Sequence, residues 1–300
     1  MELEVKNNEQ EIKVKRHMGM RRKRAISNAI VYVILTLMSI IWLIPFVFIL
    51  IESFRSDGVT WQVGEIFNHK WGFDNYISLF KETDFGKWYL NTFLIALAAA
   101  VLQTAVILCV SFTLSRLRFK GRKMLMNICL VLGMFPGFLS LIILYNVLSD
   151  LGLTGPHAVP GLILIGFAGS GMGYYISKGY FDTIPRSLDE AARVDGATKC
   201  QVFYKVIMPL AKPIVIYTVL SAFMGPWGDF RFAKYIAHGS SSGMNVAVGL
   251  NSLVASAGSM SAHYTHFCAG GVLVAIPVAV LFMLLQRYYV EGVTGGAVKG

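Results

Sequence analysis

Long runs of apolar residues alternate along this chain with shorter polar connections. Six runs reach the length of about 20 residues with which an α-helix crosses a membrane. Their approximate positions are 27–51, 88–114, 124–148, 160–177, a run that starts after Lys212 and is interrupted near Gly225-Pro226, and 267–285. The pattern predicts an all-α integral membrane protein with six transmembrane helices, a multi-pass protein surrounded by lipid.

Basic residues are distributed unequally between the alternating connections. Of the 27 Lys and Arg residues, 21 lie in the two terminal tails and in the second and fourth connections. Because cytoplasmic connections are enriched in Lys and Arg, we expect this side of the cell membrane, with both termini, to be cytoplasmic. The expected parts are a basic cytoplasmic tail over 1–26, a transmembrane domain over 27–289 and a cytoplasmic C-terminal tail over 290–300.

Composition narrows the class of protein further. Only 15% of the residues are charged, whereas soluble domains carry about 25%. The net charge of +10 flanks apolar runs instead of forming a basic face, so we expect no nucleic-acid partner. The cysteines form no Cys-x-x-Cys pair, and we expect neither a metal site nor a disulfide. They are Cys109, Cys129, Cys200 and Cys268.

The predicted spans contain no evident energy source. Ion-coupled carriers generally place ionisable residues within the membrane, but spans one to four and span six have no Asp, Glu, Lys, Arg or His in their cores. The chain also has no Gly-x-x-x-x-Gly-Lys-Ser/Thr phosphate loop. We therefore expect no enzyme activity, no catalytic residue and no cofactor bound by this chain, and a partner that supplies the energy.

The connection over 184–212 has the signals of two short helices joined by a glycine. Ser187 and Glu190 fit a capping box, Gly196 is suited to end the helix that follows, and Thr198 and Gln201 fit a second capping box. The second helix is expected to carry one apolar stripe. Its residues are Phe203, Val206, Ile207 and Leu210. On these signals alone, an amphipathic hairpin lying on the membrane surface remains an alternative.

One motif in this connection resembles a known family. The connection contains Glu190-Ala191-Ala192-x-x-x-Gly196, and Val206-Ile207-Met208-Pro209 follows nine residues later. This pattern resembles the EAA loop of ATP-binding-cassette (ABC) importer permeases, with two conservative departures from that family's Ile-x-Leu-Pro ending. In that family, this hairpin seats in a cleft on a separate ATPase subunit, which binds ATP and Mg. The resemblance implies an ATPase-coupling role for Glu190, Ala191, Ala192, Asp195, Gly196, Phe203 and Pro209.

Helix-disrupting dipeptides mark two spans, at Pro136-Gly137 and Gly225-Pro226. Irregular backbone at membrane depth is tolerated where it lines a cavity or is buried in protein. We expect these breaks to lie on a translocation path, where aromatic faces stack on a sugar ring, although ordinary packing at kinks remains an alternative. The candidate path residues are Phe135, Pro136, Tyr217, Pro226, Trp227 and Asp229.

The segment 236–266 is rich in Gly, Ser and Asn and is predicted to be a long external loop. Two other segments, Phe135-Pro136-Gly137-Phe138 and Gly225-Pro226-Trp227-Gly228-Asp229-Phe230, resemble those of carbohydrate permeases of the maltose/maltodextrin type. In that family, the last external loop reaches into an extracytoplasmic binding protein. The resemblance implies that role here for Ser252, Ser256, Gly258 and Ser259.

The C-terminal tail is glycine-rich and resembles the tail that the smaller maltose permease inserts between two ATPase subunits. The residues implied are Gly295, Gly296 and Lys299, and a frayed terminus remains the alternative.

These resemblances imply import of oligosaccharides by a complex of several chains. The expected partners are a second permease in a heterodimer, two ATPase subunits and a sugar-binding protein. Another polyol or a glycerol phosphodiester is an alternative substrate, because Arg231 could contact an anion. A self-powered carrier or a membrane enzyme is the third hypothesis.

Overall fold

A computed structural model describes residues 2–56, 70–133, 137–168 and 171–294. Within these ranges the chain is helical apart from short connections and one isolated antiparallel bridge between Arg55 and Trp71. Helices satisfy their own backbone hydrogen bonds, as lipid surroundings require. The helices are α1 Glu2–Ser53, α2 Asp74–Glu82, α3 Phe85–Ala98, α4 Thr104–Arg116, α5 Arg122–Gly133, α6 Gly137–Asp150, α7 Ala158–Ala168, α8 Gly171–Thr183, α9 Arg186–Val194, α10 Lys199–Gln201, α11 Met208–Leu210, α12 Lys212–Gly228, α13 Arg231–Ala237, α14 Val246–Leu253 and α15 Ala257–Thr294.

Two π-helical turns interrupt the α-helical geometry. One is Ala99–Gln103, between α3 and α4, and the other is Val202–Ile207, between α10 and α11. Residues 1–52 form a compact unit that consists of most of α1, and residues 53–300 form a second unit.

Four stretches of helix in the described part of the chain are long and apolar enough to cross a membrane. They are Arg24–Ser53, Phe85–Arg116, Gly155–Thr183 and Ala257–Arg287. A fifth arises if Lys199–Leu210 and Lys212–Gly228, which meet at a bend of 86°, are one span. The all-helical membrane class is thus confirmed. The sixth span stays a prediction, because the third apolar run is divided between α5 and α6 and its residues 134–136 lie outside the described ranges.

The interruption predicted near Gly225-Pro226 is present, but it comes just after this dipeptide. Helix α12 continues through Pro226 and ends at Gly228. A proline so close to the end of a helix removes one backbone donor but leaves the preceding turns intact. The side-chain amide of Asn245 then donates to the carbonyl oxygens of Pro226, at 3.3 Å, and Asp229, at 2.6 Å, which satisfies the end of the helix.

The long loop predicted over 236–266 is wrong. Helix α13 reaches Ala237, a 3₁₀ turn occupies Ser241–Gly243, α14 spans Val246–Leu253 and α15 already begins at Ala257. Asn245 caps α14 by accepting a hydrogen bond of 3.0 Å from the backbone of Val248. The Ser, Gly and Asn residues of this segment therefore serve as caps and tight turns between helices.

Candidate functional site

The turn of the hairpin 184–212, hereafter the Gly196 hairpin, has the geometry of a Schellman motif. Gly196 has a φ of +85°, which only glycine adopts easily. The backbone N–H of Ala197 donates to the carbonyl of Ala192 at 2.9 Å, and that of Gly196 donates to Arg193 at 3.1 Å. These two bonds satisfy carbonyls at the end of α9, so the predicted glycine stop is confirmed.

The two predicted capping boxes have opposite outcomes. At Thr198 the box is confirmed: its hydroxyl accepts from the backbone N–H of Gln201 at 3.3 Å, and its own N–H donates to the Gln201 side chain at 2.7 Å. The box at Ser187 is wrong. Helix α9 starts two residues earlier than this box predicts, at Arg186, directly after Pro185 and with no side-chain cap.

The second arm of the hairpin packs against the spans through a shifted apolar stripe. Val202, Ile207 and Ala211 are buried with Phe181 of α8 and Ile214 of α12. Leu210, which was predicted in the stripe, is 48% exposed. The π-helical turn Val202–Ile207 explains the error, because it inserts a residue into the helical repeat and rotates the following positions.

The first arm, α9, leaves its outer surface uncovered in this chain. It has no fully buried residue, and Val194 is 87% exposed. Of the predicted coupling residues, Ala192 and Phe203 pack inward, with the Phe203 ring 4.9 Å from that of Phe112. The exposed coupling residues are Glu190, Ala191, Asp195, Gly196 and Pro209.

One residue of α9 that the sequence reasoning missed turns toward the spans. The Asp189 carboxylate lies 3.3 Å from Nε of Arg116, and their side chains are only 14% and 4% exposed. Burial raises the pKa of the Asp189 carboxyl, and the charges of Arg116 and then Arg186 partly offset this rise. Both positions look like surface charges in the sequence, so no local signal indicated the pair.

A cavity of about 470 Å³ lies among α3, the first π-helical turn, α7, α8 and α12. Of the predicted path residues, Tyr217, Pro226 and Asp229 line it. Trp227 does not line it; it is buried in an apolar cluster, with its ring 5.2 Å from that of Tyr89. Phe135 and Pro136 lie outside the described residues. Polar lining residues that the sequence reasoning missed are Gln103, Thr218, Ser221 and Asn245.

Asp229 already has a structural role at the edge of this cavity. Its carboxylate accepts a hydrogen bond of 3.2 Å from the backbone of Phe232, and so it caps α13. Arg231 is exposed at the start of α13 and is not among the residues lining the cavity. The arrangement offers little support for an anion contact by Arg231 within the cavity.

The residues predicted to meet a binding protein surround the short connection from α14 to α15. Ser252 lies within α14 and donates to the carbonyl of Gly249 at 2.6 Å. Ser256 and Ser259 exchange hydrogen bonds of 3.0 and 3.2 Å at the start of α15, which contains Gly258. The tail residues Gly295, Gly296 and Lys299 lie outside the described residues.

Comparisons with known proteins agree with this arrangement of helices. The family model "Binding-protein-dependent transport system inner membrane component" matches residues 105–295. The maltodextrin transport system permease protein MdxG of Bacillus subtilis is 35% identical over 278 residues, which cover 92% of this chain and 98% of that protein. The galactooligosaccharides transport system permease protein GanQ of the same organism is 38% identical over 287 residues, covering 94% and 99%.

A solved structure has the same fold over most of its length. It is a chain of a bacterial ABC transporter involved in the import of the acidic polysaccharide alginate, with a TM-score of 0.74 and 26% identity over 89% of this chain and 97% of that one. The family match covers well over half of the sequence, and both curated relatives align nearly from end to end. The chain therefore belongs to the family of inner membrane components of binding-protein-dependent transport systems.

Proposed function

We propose that this chain is a permease subunit of an ABC importer that moves oligosaccharides across the cytoplasmic membrane. The observation that carries the proposal is the Gly196 hairpin. One of its arms packs on spans α4, α8 and α12, while α9 presents an uncovered outer surface with Val194 87% exposed. An element folded by its own hydrogen bonds and partly uncovered is suited to receive a partner.

The coupling mechanism follows from this packing. Two separate ATPase subunits bind ATP and Mg, and their closure pushes α9 through its exposed residues, Glu190 among them. Since the second arm is packed on spans that border the cavity, the push alters access to the cavity. On this proposal, the chain spans the membrane six times with the hairpin and both termini in the cytoplasm, and it pairs with a second permease.

The proposed substrate is a neutral oligosaccharide delivered by an extracytoplasmic sugar-binding protein. Support comes from the relatives named for maltodextrin and galactooligosaccharides and from the neutral polar groups in the cavity, among them Tyr217 and Gln103. The exposed connection between α14 and α15, with Ser256 and Ser259, is the proposed contact with the binding protein. The tail with Gly295, Gly296 and Lys299 is proposed to reach the ATPase subunits.

The test is uptake by vesicles that contain this chain with its permease partner, ATPase subunits and binding protein. We expect ATP-dependent uptake of labelled maltodextrin or galactooligosaccharide, and we expect Gly196→Asp to abolish it while membrane insertion persists. Gly121→Asp is the matched control, because Gly121 also has a positive φ, of 89°, and open space around it but lies outside the hairpin. Uptake by the chain alone, or normal uptake with Gly196→Asp, would contradict the proposal.

A further inference from the structure

A single buried guanidinium joins three elements where the Gly196 hairpin meets the spans. Arg116 ends α4, and its Nη2 donates to the carbonyl oxygens of Phe181 and Ile184, at 2.8 Å each, at the end of α8 and just beyond it. Its Nε lies 3.3 Å from the carboxylate of Asp189 on α9. The planar fork of arginine permits these contacts at once, which the point charge of lysine does not reproduce.

Neighbouring polar contacts join the same three elements. The Ser115 hydroxyl donates to the carboxylate of Asp182, on α8, at 2.6 Å. The guanidinium of Arg186, at the start of α9, donates to the carbonyl of Ser115 at 3.4 Å. The ends of α4 and α8 and the first arm of the hairpin are therefore connected by directional bonds as well as by apolar packing.

The position of these bonds matters because α9 has little other contact with the spans. None of its residues is fully buried, and Asp189 is one of its few inward-facing side chains. A load applied to the exposed side of α9 would otherwise reach the spans only through the turn at Gly196 and the second arm. A buried ion pair contributes little net stability compared with apolar residues of similar volume. Its two charges nevertheless stay together, because separating them would leave each one uncompensated inside the protein.

We propose that Arg116 is a positioning residue that makes α9 move as one rigid body with α4 and α8. In this role it converts pressure on the hairpin into movement of two spans that border the cavity. The inference rests on the proposed function, since it assumes that a partner pushes on α9. It adds a specific mechanical link, through Asp189, that no motif in the sequence indicates.

One native cysteine and one introduced cysteine allow this link to be measured in the assembled transporter. Cys109 on α4 is exposed and can carry one spin label, and Val194→Cys, at an 87% exposed position of α9, can carry the other. Cys129 and Cys200 are replaced by Ser, and Cys268 is buried. Pulsed electron paramagnetic resonance then gives the distance between the labels without nucleotide and with trapped ATP. For the wild-type chain, we expect one narrow distribution that is the same in both states.

Asp189→Asn and Arg116→Lys are the informative variants. In both variants, we expect the distance distribution to broaden or shift with ATP. We also expect the amount of solute imported per ATP hydrolysed to fall about fivefold or more, while ATP hydrolysis continues. Asp189→Glu should restore part of the ratio. Arg118→Lys is the matched control, because it makes the same exchange at an exposed arginine two positions beyond Arg116, and it should change neither measurement.

The outcomes separate this inference from the proposed function. If the wild type imports sugar with ATP but both variants keep its distance distribution and its ratio of solute to ATP, Arg116 has no positioning role. A wild-type distance that changes with ATP would also overturn the inference. If the assembled wild type shows no ATP-driven uptake at all, the proposed function fails first, and the inference fails with it.

Discussion

Two glycine-containing regions of this chain are held in shape by different contacts: one by residues near in sequence, the other by residues far away in sequence. The Gly196 hairpin is shaped by bonds between near neighbours, such as the pair formed by Thr198 and Gln201. The segment 238–256, hereafter the Trp88-docked segment, is held by α3, which is distant in sequence. The Asn91 side chain donates to the carbonyls of Ser242, at 3.0 Å, and Met244, at 2.8 Å.

The difference indicates what each region can do. A hairpin shaped by its own bonds can be pushed as a unit without losing its structure. The Trp88-docked segment has no such independence: Gly249 lies directly against the Trp88 ring, and Gly243 against the carbonyl of Gly155, so neither has room for a Cβ atom. It is part of the rigid bundle, although its composition suggests a loop.

The strongest test of this comparison is Gly249→Ala. The added methyl group would overlap the Trp88 ring, so we expect the free energy of unfolding to fall by about 3 kcal/mol, toward the upper end of overpacking effects. Denaturation of the purified chain in detergent, followed by tryptophan fluorescence, measures this. Gly179→Ala is the control, because Gly179 lies in α8 with open space around it and should be stabilised by up to about 1 kcal/mol. Equal stability of the two variants would mean that the segment is not docked.

Asn91→Ala tests the polar contacts of the same docking. It leaves two carbonyls of the Trp88-docked segment without their donor, and we expect a loss of about 1–3 kcal/mol in unfolding free energy. Hydrogen exchange should also become faster around Val246, whose backbone N–H donates to Thr92 at 2.8 Å. Unchanged exchange there would show that packing alone holds the segment.

A smaller and more local effect is expected for Thr198→Ala in the Gly196 hairpin. Loss of the capping box should cost about 1 kcal/mol in the stability of that helical start. We expect faster hydrogen exchange near Gln201 with little change in global unfolding, because Thr198 is exposed and its capping bonds lie within the hairpin. Thr198→Ser keeps the hydroxyl and is the control. A large fall in the free energy of global unfolding would contradict the difference between the two regions.

The same distinction explains how much the sequence could predict. Gly196, Thr198 and Gln201 lie within six positions of one another, so the turn and cap were readable from local rules. The Trp88-docked segment depends on α3 residues far along the chain, and its Gly and Ser content alone gave the wrong prediction of a loop. Local rules also failed where geometry changed without a sequence signal, as at the π-helical turn that leaves Leu210 exposed.

The candidate site shows the same limit. Pro226 was found as part of a recognisable dipeptide, and Tyr217 and Asp229 as polar residues of the same region that could hydrogen-bond a sugar; all three line the cavity. Trp227 was grouped with them, but helical geometry turns it into an apolar cluster. Arg116 was counted only as part of a basic connection. From one sequence, a basic residue whose side chain is buried cannot be distinguished from a basic residue that marks the cytoplasmic side of the membrane.

The smallest expected effect on stability is that of Asp189→Asn. Burial raises the pKa of this carboxyl above its ordinary value of 3.8, so folding favours the protonated form. Protonation therefore stabilises the fold below that ordinary value, and this stabilisation is lost as the pH rises through the raised pKa. At neutral pH the uncharged amide avoids this loss, but it leaves the Arg116 guanidinium, 4% exposed, without its carboxylate. Because the two effects oppose each other, we expect the Tm of the variant to stay close to that of the wild type.

The measurement is Tm against pH for both proteins, with Glu190→Gln as an exposed control on the same helix. The difference between Asp189→Asn and the wild type should shrink as the pH falls toward the raised pKa. A fall of several degrees at neutral pH would show instead that the ion pair with Arg116 stabilises the fold. If the Tm is unchanged but the solute imported per ATP hydrolysed falls, this buried charge serves the movement of the hairpin. The residues that hold the Trp88-docked segment, by contrast, serve stability.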